Sequence, residues 1–367
     1  MNTPIRFGVI GAIGRGAGHL RAINVHQDAK LTALCDLKEE QLTERAQELD
    51  VLAFADAEEM MDSGEVDAVI VGTPMPLHVP QSIMALERDI HVLSEVPAGV
   101  SIEECRDLVL AEKKSKGVYM MAENYCYMRP NVVVKAMARA GVFGELYFGE
   151  GEYTHELKGL NEITKWRRKW QTGINGNTYP THSLGPVLQW FGNQRVISVS
   201  CVGTGHHYRD PRGDQYEIED ANFTACRLSG GGLVNLRLDM ISDRPHNMTY
   251  YSLQGTDGCY EATRGLGDEP KVWIRSRHGE TKWYPLEDFY DEFLPEHWKN
   301  PPEEAVKAGH GGGDYWIAQD FIDAILEGTS PPIGIHEALD MTLPGLASQI
   351  SIQQGASWVA VPDSRNW

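Results

Sequence analysis

Strand-like apolar runs alternate with helix-like segments through the first third of the chain, and few folds accept that pattern. The runs IRFGVIG, KLTALCD, VDAVIVG, IHVLSE and GVYMMAEN are separated by segments such as GHLRAINVHQ, KEEQLTERAQELD and VPQSIMALERD. A strand that is apolar on both faces needs cover on both, and crossover helices supply it. The pattern predicts an α/β chain that opens with a doubly wound parallel sheet over residues 1–123. The rhythm changes after a helix expected at Asn131–Ala140. Longer, alternating segments follow, among them ELYFGEGEYTHE, VISVSCVGT, NFTACRLSGGGLVNLRLDM and MTYYSLQGTDGCYEAT. Alternation predicts an open, mainly antiparallel sheet with one solvated face. Residues 124–367 are thus expected to form a second, α+β domain. Its C-terminal segment, ending in SWVAVP, is expected to return as a strand or strap that packs back on the first domain.

The first turn narrows the function. GVIGAIGRGAG follows the first strand and opens a helix, the context a dinucleotide fingerprint needs. Gly11 permits the tight turn, and Gly16 permits close helix–strand packing. Ile13 stands where the middle glycine of that fingerprint is usual, with Gly14 and Arg15 after it. Asp36 ends the second strand, 20 residues after Gly16. A carboxylate there accepts both ribose hydroxyls and repels a 2′-phosphate, and Leu37 follows instead of an arginine, so NAD is expected over NADP. Thr73, Pro74 and His78, in VGTPMPLH, are expected to border the cofactor.

Charge and composition exclude other classes. The 367 residues carry a formal net charge of −19. That surface repels phosphate backbones and anionic headgroups, so neither nucleic acid nor membrane is an expected partner. Six cysteines show no CxxC pair and no zinc spacing, so buried free thiols and no metal site are expected. The N-terminal segment lacks the apolar region of a signal peptide, so a cytoplasmic setting is expected. Large open sheets tend to pair, which predicts a homodimer or homotetramer.

With LSEVPAG and MMAENYCY the chain resembles the Gfo/Idh/MocA superfamily of NAD(P)-dependent sugar oxidoreductases. That resemblance implies a Rossmann domain followed by an open-sheet domain. Typical dehydrogenases of the superfamily carry Glu-Lys-Pro, with the lysine moving the substrate hydroxyl proton. This chain has Glu95-Val96-Pro97. Their Asp and His of the second domain would fall near Thr181 and Gly185 here, so all three usual proton carriers are absent. One branch is more similar: the NAD-dependent glycosidases of the α-N-acetylgalactosaminidase type. The matching residues are Glu95-Val96-Pro97, Glu123-Asn124, Tyr153-Thr154-His155, Trp166-Arg167, Gly176-Asn177-Thr178-Tyr179-Pro180-Thr181-His182 and His310-Gly311-Gly312-Gly313-Asp314. Ser183, Gly313 and Ile13 depart from the usual patterns.

That likeness implies hydrolysis of a small glycoside through transient oxidation at C3, elimination of the aglycone and addition of water. NAD is recycled in place. Such chemistry needs several proton-transfer groups. The resemblance assigns Glu123, Tyr153, Tyr179, His182 and His310 to catalysis. It assigns His155, Trp166, Arg167 and Asn177 to the sugar, and Glu95, Val96 and Asn124 to the cofactor. The glycine-rich stretch AGHGGGDYW is expected to move and bring His310 toward the anomeric side, with Asp314 as N-cap of the next helix. Two alternatives stay open. One is an NAD-dependent sugar or cyclitol dehydrogenase, or a keto-sugar reductase, with net hydride transfer. The other is a non-catalytic NAD-binding sensor. His206-His207 has no metal partner at useful spacing and is expected in a surface loop.

Overall fold

The computed structural model describes residues 3–245 and 247–367. The chain divides into two compact units. The first comprises Met1–Tyr127 with Pro302–Leu339 and Ser364–Trp367, and the second comprises Met128–Pro301 with Asp340–Asp363. The division therefore differs from a single cut after residue 123. The chain leaves the first unit, returns to it, and crosses again near its end.

Six parallel strands form the sheet of the first unit: β1 (Ile5–Ile10), β2 (Ala29–Cys35), β3 (Leu52–Phe54), β4 (Ala68–Val71), β5 (His91–Ser94) and β6 (Tyr119–Met121). Their order is β3-β2-β1-β4-β5-β6, the doubly wound arrangement whose switch point lies between β1 and β4. All four residues of β4 are buried, which is why its sequence is a plain apolar run. The helices α1 (Ala17–Val25), α2 (Glu39–Leu49), α3 (Ala57–Asp62), α4 (His78–Leu86) and α5 (Ile102–Glu112) make the crossovers. Strand β3 escaped the sequence reading because it is three residues long and mostly exposed, so it has no apolar run. The helix Gly313–Glu327 belongs to this unit and lies against α1. Phe321 from that helix meets Phe7 of β1 edge to face at 6.2 Å, and both rings are fully buried.

The second unit begins with α6 (Arg129–Arg139) and is built on nine strands: β7 (Leu146–Thr154), β8 (Val196–Gly203), β9 (Ala221–Leu228), β10 (Leu233–Asp239), β11 (Met248–Gly255), β12 (Gly258–Glu261), β13 (Lys271–Ile274), β14 (Tyr284–Pro285) and β15 (Val359–Ala360). The order is β14-β13-β12-β11-β7-β10-β9-β8-β15. Pairing is antiparallel except between β7 and β10, which run parallel. Val359–Ala360, within SWVAVP, pairs antiparallel with β8 at the sheet edge. Two short helices, α7 (Lys158–Ile163) and α8 (Lys165–Trp170), precede α9 (Thr181–Phe191), which covers the centre of the sheet. Among the described residues no helix is long and apolar enough to cross a membrane, and no group of His, Cys, Asp or Glu has metal-binding geometry. All six cysteines are free, and five of them are buried.

Helix α9 lies unusually close to β7. A Cβ on Gly151 would sit 1.9 Å from the Ser183 carbonyl oxygen, and one on Gly149 would sit 2.7 Å from Val187 Cγ1. Backbone on one side and helix on the other leave no room to give. Gly151→Ala is expected to lower stability by about 1–3 kcal/mol. The check is a shift of the denaturant midpoint at constant slope. Gly159→Ala, where an added Cβ meets open space, should cost nothing.

Candidate functional site

The first unit holds a cradle at the switch point of its sheet. Gly11 turns with φ of +79°, and a Cβ there would lie 2.6 Å from the Gly72 carbonyl oxygen. A Cβ on Gly72 would lie 2.5 Å from Gly16 Cα. The β1–α1 turn and the end of β4 therefore touch backbone to backbone. Helix α1 starts right after this turn. No side chain caps it and no acidic residue stands in its first turn, so its positive end is open to an anion. Asp36 closes the other end of the cradle. Its Oδ2 accepts the Ile13 N–H at 2.9 Å and its Oδ1 accepts the Lys38 N–H at 3.0 Å. Each oxygen keeps a further lone pair for a ribose hydroxyl. Ile13 thus serves the site through its main chain, which is why a side chain is tolerated at that position.

Beside the turn sits a buried charge cluster. Glu95 Oε1 is 2.7 Å from His19 Nε2 and 2.8 Å from Arg15 Nε. Burial alone would raise the Glu95 pKa. The His19 hydrogen bond and the charges of His19, Arg15 and His78 outweigh burial and hold it at about 2. His19 is fully buried on α1 and was missed by sequence reading, because a lone histidine on a helix gives no signal without its distant partner. Val96 is buried beside Glu95. His78 is buried as well. Its ring lies 2.9 Å from both the Pro97 and Thr73 carbonyl oxygens, so it ties two loops together and presents no free ring nitrogen. The Thr73 hydroxyl donates to Gln81. Pro74 immediately precedes the helical turn Met75–Leu77.

His310 also lies in the first unit, and its glycines have separate causes. Gly311 and Gly312 take φ of +65° and +99°. A Cβ on Gly309 would strike the Asp314 carboxylate. One on Gly313 would crowd Tyr127. His310 itself adopts φ of +53°, a conformation that costs a non-glycine residue roughly 1–2 kcal/mol. Its Nδ1 lies 3.0 Å from both oxygens of the buried Asp314. Asp314 is therefore not the expected N-cap. Gly312 holds that place, and Asp314 turns back to the histidine. Burial would raise the Asp314 pKa, but the His310 hydrogen bond and the charges of His19, His310 and Arg15 lower it. An ionised carboxylate on Nδ1 fixes that proton and leaves Nε2 of the exposed ring for a ligand. Glu123 is completely buried, with Oε1 accepting the Tyr125 N–H at 3.1 Å. The neighbouring Asn124 is buried too.

The second unit gathers four rings. Tyr153, near the end of β7, shares a 2.9 Å hydrogen bond with His155 Nδ1. Its ring is 5.6 Å from that of Tyr179 and 5.0 Å from that of His182. Tyr179 and His182 meet edge to face at 4.8 Å. The first turn of α9 brings His182 over the strand, and the short α9–β7 distance makes the contact. Tyr251 donates its hydroxyl to the His182 carbonyl at 2.5 Å. Tyr153 and His182 are buried, whereas His155 and Tyr179 are partly exposed and are the reachable members.

Asn177 and Arg167 complete the residues expected at the sugar in this unit. Asn177, expected on the sugar, is buried. Its Oδ1 accepts the Tyr179 N–H at 3.3 Å and its own N–H donates to Ser348, so it positions Tyr179. Arg167 stacks over Trp166 at 4.5 Å and donates to Gln171, while its Nε–H has no partner among the described residues. The adjacent Arg168 is spent on Asp210, Glu162 and Asp214. His207 is exposed but bonds Asp220 at 2.7 Å.

Comparison with known proteins identifies both units. Residues 5–123 match the oxidoreductase family with an NAD-binding Rossmann fold. Residues 127–366, more than half of the chain, match the glycosyl hydrolase 109 C-terminal domain. The chain belongs to the glycosyl hydrolase 109 family. It is 29% identical to a glycosyl hydrolase family 109 protein of Saccharopolyspora erythraea over 99% of this chain and 83% of that protein. Identity is also 29% with a Solibacter usitatus protein of the same description, over 99% of this chain and 88% of the other. Among solved structures, levoglucosan dehydrogenase in complex with NADH and levoglucosan shares the fold. The TM-score is 0.82 at 22% identity, covering 98% of this chain and all of the other. The WlbA dehydrogenase of Bordetella pertussis, in complex with NADH and UDP-GlcNAcA, gives 0.78 at 21% identity over 99% of each chain. This is an enzyme family, and the cofactor is NAD. The cradle suits it: the glycine turn and α1 would take the pyrophosphate, and Asp36 the adenosine ribose.

Two measurements check this half. Asp36→Ala removes a charged acceptor worth about 1.5–3 kcal/mol. Titration should show NAD affinity falling about tenfold or more, with discrimination against NADP reduced. Glu95 has a depressed pKa, so its stabilising contribution is complete above the ordinary value of 4.5 and is lost as pH falls toward about 2. Glu95→Gln should flatten the acid limb of the stability curve in that window.

Proposed function

We propose that this protein hydrolyses a small glycoside with no net redox change. The observation that carries the reading is the four-ring cluster of Tyr153, His155, Tyr179 and His182. A net dehydrogenase moves one hydroxyl proton per turnover. Oxidation, elimination and water addition together move protons at the C3 hydroxyl, at C2 and at the leaving oxygen. Two phenols and two imidazoles joined through Tyr153 match the larger demand, and the residue between Glu95 and Pro97 is a buried valine that carries no proton.

When bound, NAD supplies reversible hydride transfer at C3 of the sugar, which acidifies the neighbouring C2–H. Tyr179, the reachable phenol, takes the C2 proton and returns one to C2 when water has added at C1. The Tyr153–His155 pair holds the hydroxyl proton, because their hydrogen bond lets a buried phenol pass charge to a partly exposed ring. His182, edge-on to both phenols, keeps them in register. Arg167, stacked on Trp166, offers its guanidinium to a sugar oxygen. His310 is the remaining proton carrier, with Asp314 setting its tautomer.

The test uses p-nitrophenyl glycosides in heavy water without added NAD. Nitrophenol release with deuterium at C2 of the product is expected. Tyr179→Phe should lower kcat by about 10²–10⁴-fold, while bound NAD is retained. Accumulation of NADH from free sugars, with no nitrophenol from any glycoside, would replace hydrolysis by net sugar oxidation.

A further inference from the structure

Beside the ring cluster, and wholly within the second unit, is a cavity of 470 Å³. That is the size of a small-molecule pocket. Its walls include Thr249, Tyr251, Tyr260, Thr263 and Leu266. The cavity and the cluster share a wall. Thr249 is paired directly opposite Tyr153 on the adjacent strand, so their side chains neighbour each other on one face. Tyr251 reaches from the cavity wall to the His182 carbonyl.

Three features distinguish this cavity from a packing gap. Tyr260 is buried, yet its hydroxyl has no partner among the described residues. Burial pushes its pKa up, so it stays a neutral hydroxyl able to donate. Leu266 is fully exposed at the tip of a loop on the rim, flanked by Gly265 and Gly267. The loop is nevertheless anchored: Arg264 bonds Glu152 at 3.0 Å and lies over the Tyr250 ring at 3.5 Å, and its N–H donates to Asp268. A fixed loop that holds a leucine in water at the mouth of an apolar cavity leaves that leucine without cover until something enters.

The geometry points to a leaving-group subsite that accepts a flat, aromatic aglycone, with Leu266 folding over its face. This rests on the hydrolytic reading above and adds the substrate class: aryl glycosides of small phenols. Aromatic aglycones also suit an elimination, because a phenolate leaves more readily than an alkoxide.

The experiment compares p-nitrophenyl and methyl glycosides of the same sugar with the intact, NAD-containing enzyme. Thr263→Trp fills the cavity, and Leu266→Ser changes a fully exposed side chain that the fold does not need. Both variants should raise KM for the aryl glycoside, Thr263→Trp by about tenfold or more, and should raise KM for the methyl glycoside far less. Free p-nitrophenol should bind saturably to the wild type, followed by tryptophan fluorescence, and much more weakly to Thr263→Trp. If both variants shift the two substrates equally and leave p-nitrophenol affinity unchanged, the subsite is overturned while hydrolysis stands. If the wild type cleaves no aryl glycoside at all, the hydrolytic reading falls and takes the subsite with it.

Discussion

The approach of α9 to β7 sets the ring geometry of the second unit. Gly149 and Gly151 alternate on one face of the strand, and they let helix backbone rest almost on strand backbone. Two residues further along the same face stands Tyr153. The helix that needs the glycines carries His182 in its first turn, and Tyr179 lies just before it. Any side chain at Gly151 would lift the helix and pull both rings away from Tyr153. Under the proposed hydrolysis, packing and proton transfer are thus one constraint. Three or four groups held near van der Waals contact can share a proton only if the scaffold does not breathe.

The first unit solves a different problem. It must keep a carboxylate ionised where water is excluded. Glu95 manages this with two donors on one oxygen: His19, from inside α1, and the Arg15 guanidinium, from the turn before it. Both come from the segment that forms the cradle. The charge of Glu95 therefore also fixes the turn, and the loop that reads the dinucleotide is tied electrostatically to the end of β5. His78 braces the same region, with its two ring nitrogens each 2.9 Å from a backbone carbonyl oxygen, those of Thr73 and Pro97. Several residues expected at the cofactor also brace the loops around the cradle.

Much of the architecture was legible because it is periodic. Buried parallel strands read as apolar runs, and the open sheet reads as alternation. The order of the rings along the chain was legible too, since Tyr153 and His155 alternate and Tyr179 and His182 bracket a helix start. What escaped was either short or relational. Strand β3 has no buried core of its own. The parallel pairing of β7 with β10 depends on a crossover that no local pattern encodes. His19 matters only through Glu95, 76 residues away. Asp314 had the composition of an N-cap, yet Gly312 already supplies that conformation, which frees the carboxylate for His310. Asn177 carried the mark of a polar ligand residue. Burial turned it into the support for Tyr179.

The valine at position 96 links these observations. A lysine there would add a cation beside a carboxylate already bonded by Arg15 and His19, in a place where burial disfavours its charged form. On the proposed reading, proton handling passes instead to phenols and imidazoles. Phenols and imidazoles pay a smaller desolvation penalty than ammonium when they are packed against one another. They also accept and release protons reversibly without needing a permanent counter-charge. A cycle that returns its hydride must also return every proton it borrows. On the proposed reading, a cluster of phenols and imidazoles, braced by a closely packed helix, meets that condition better than a single strong base.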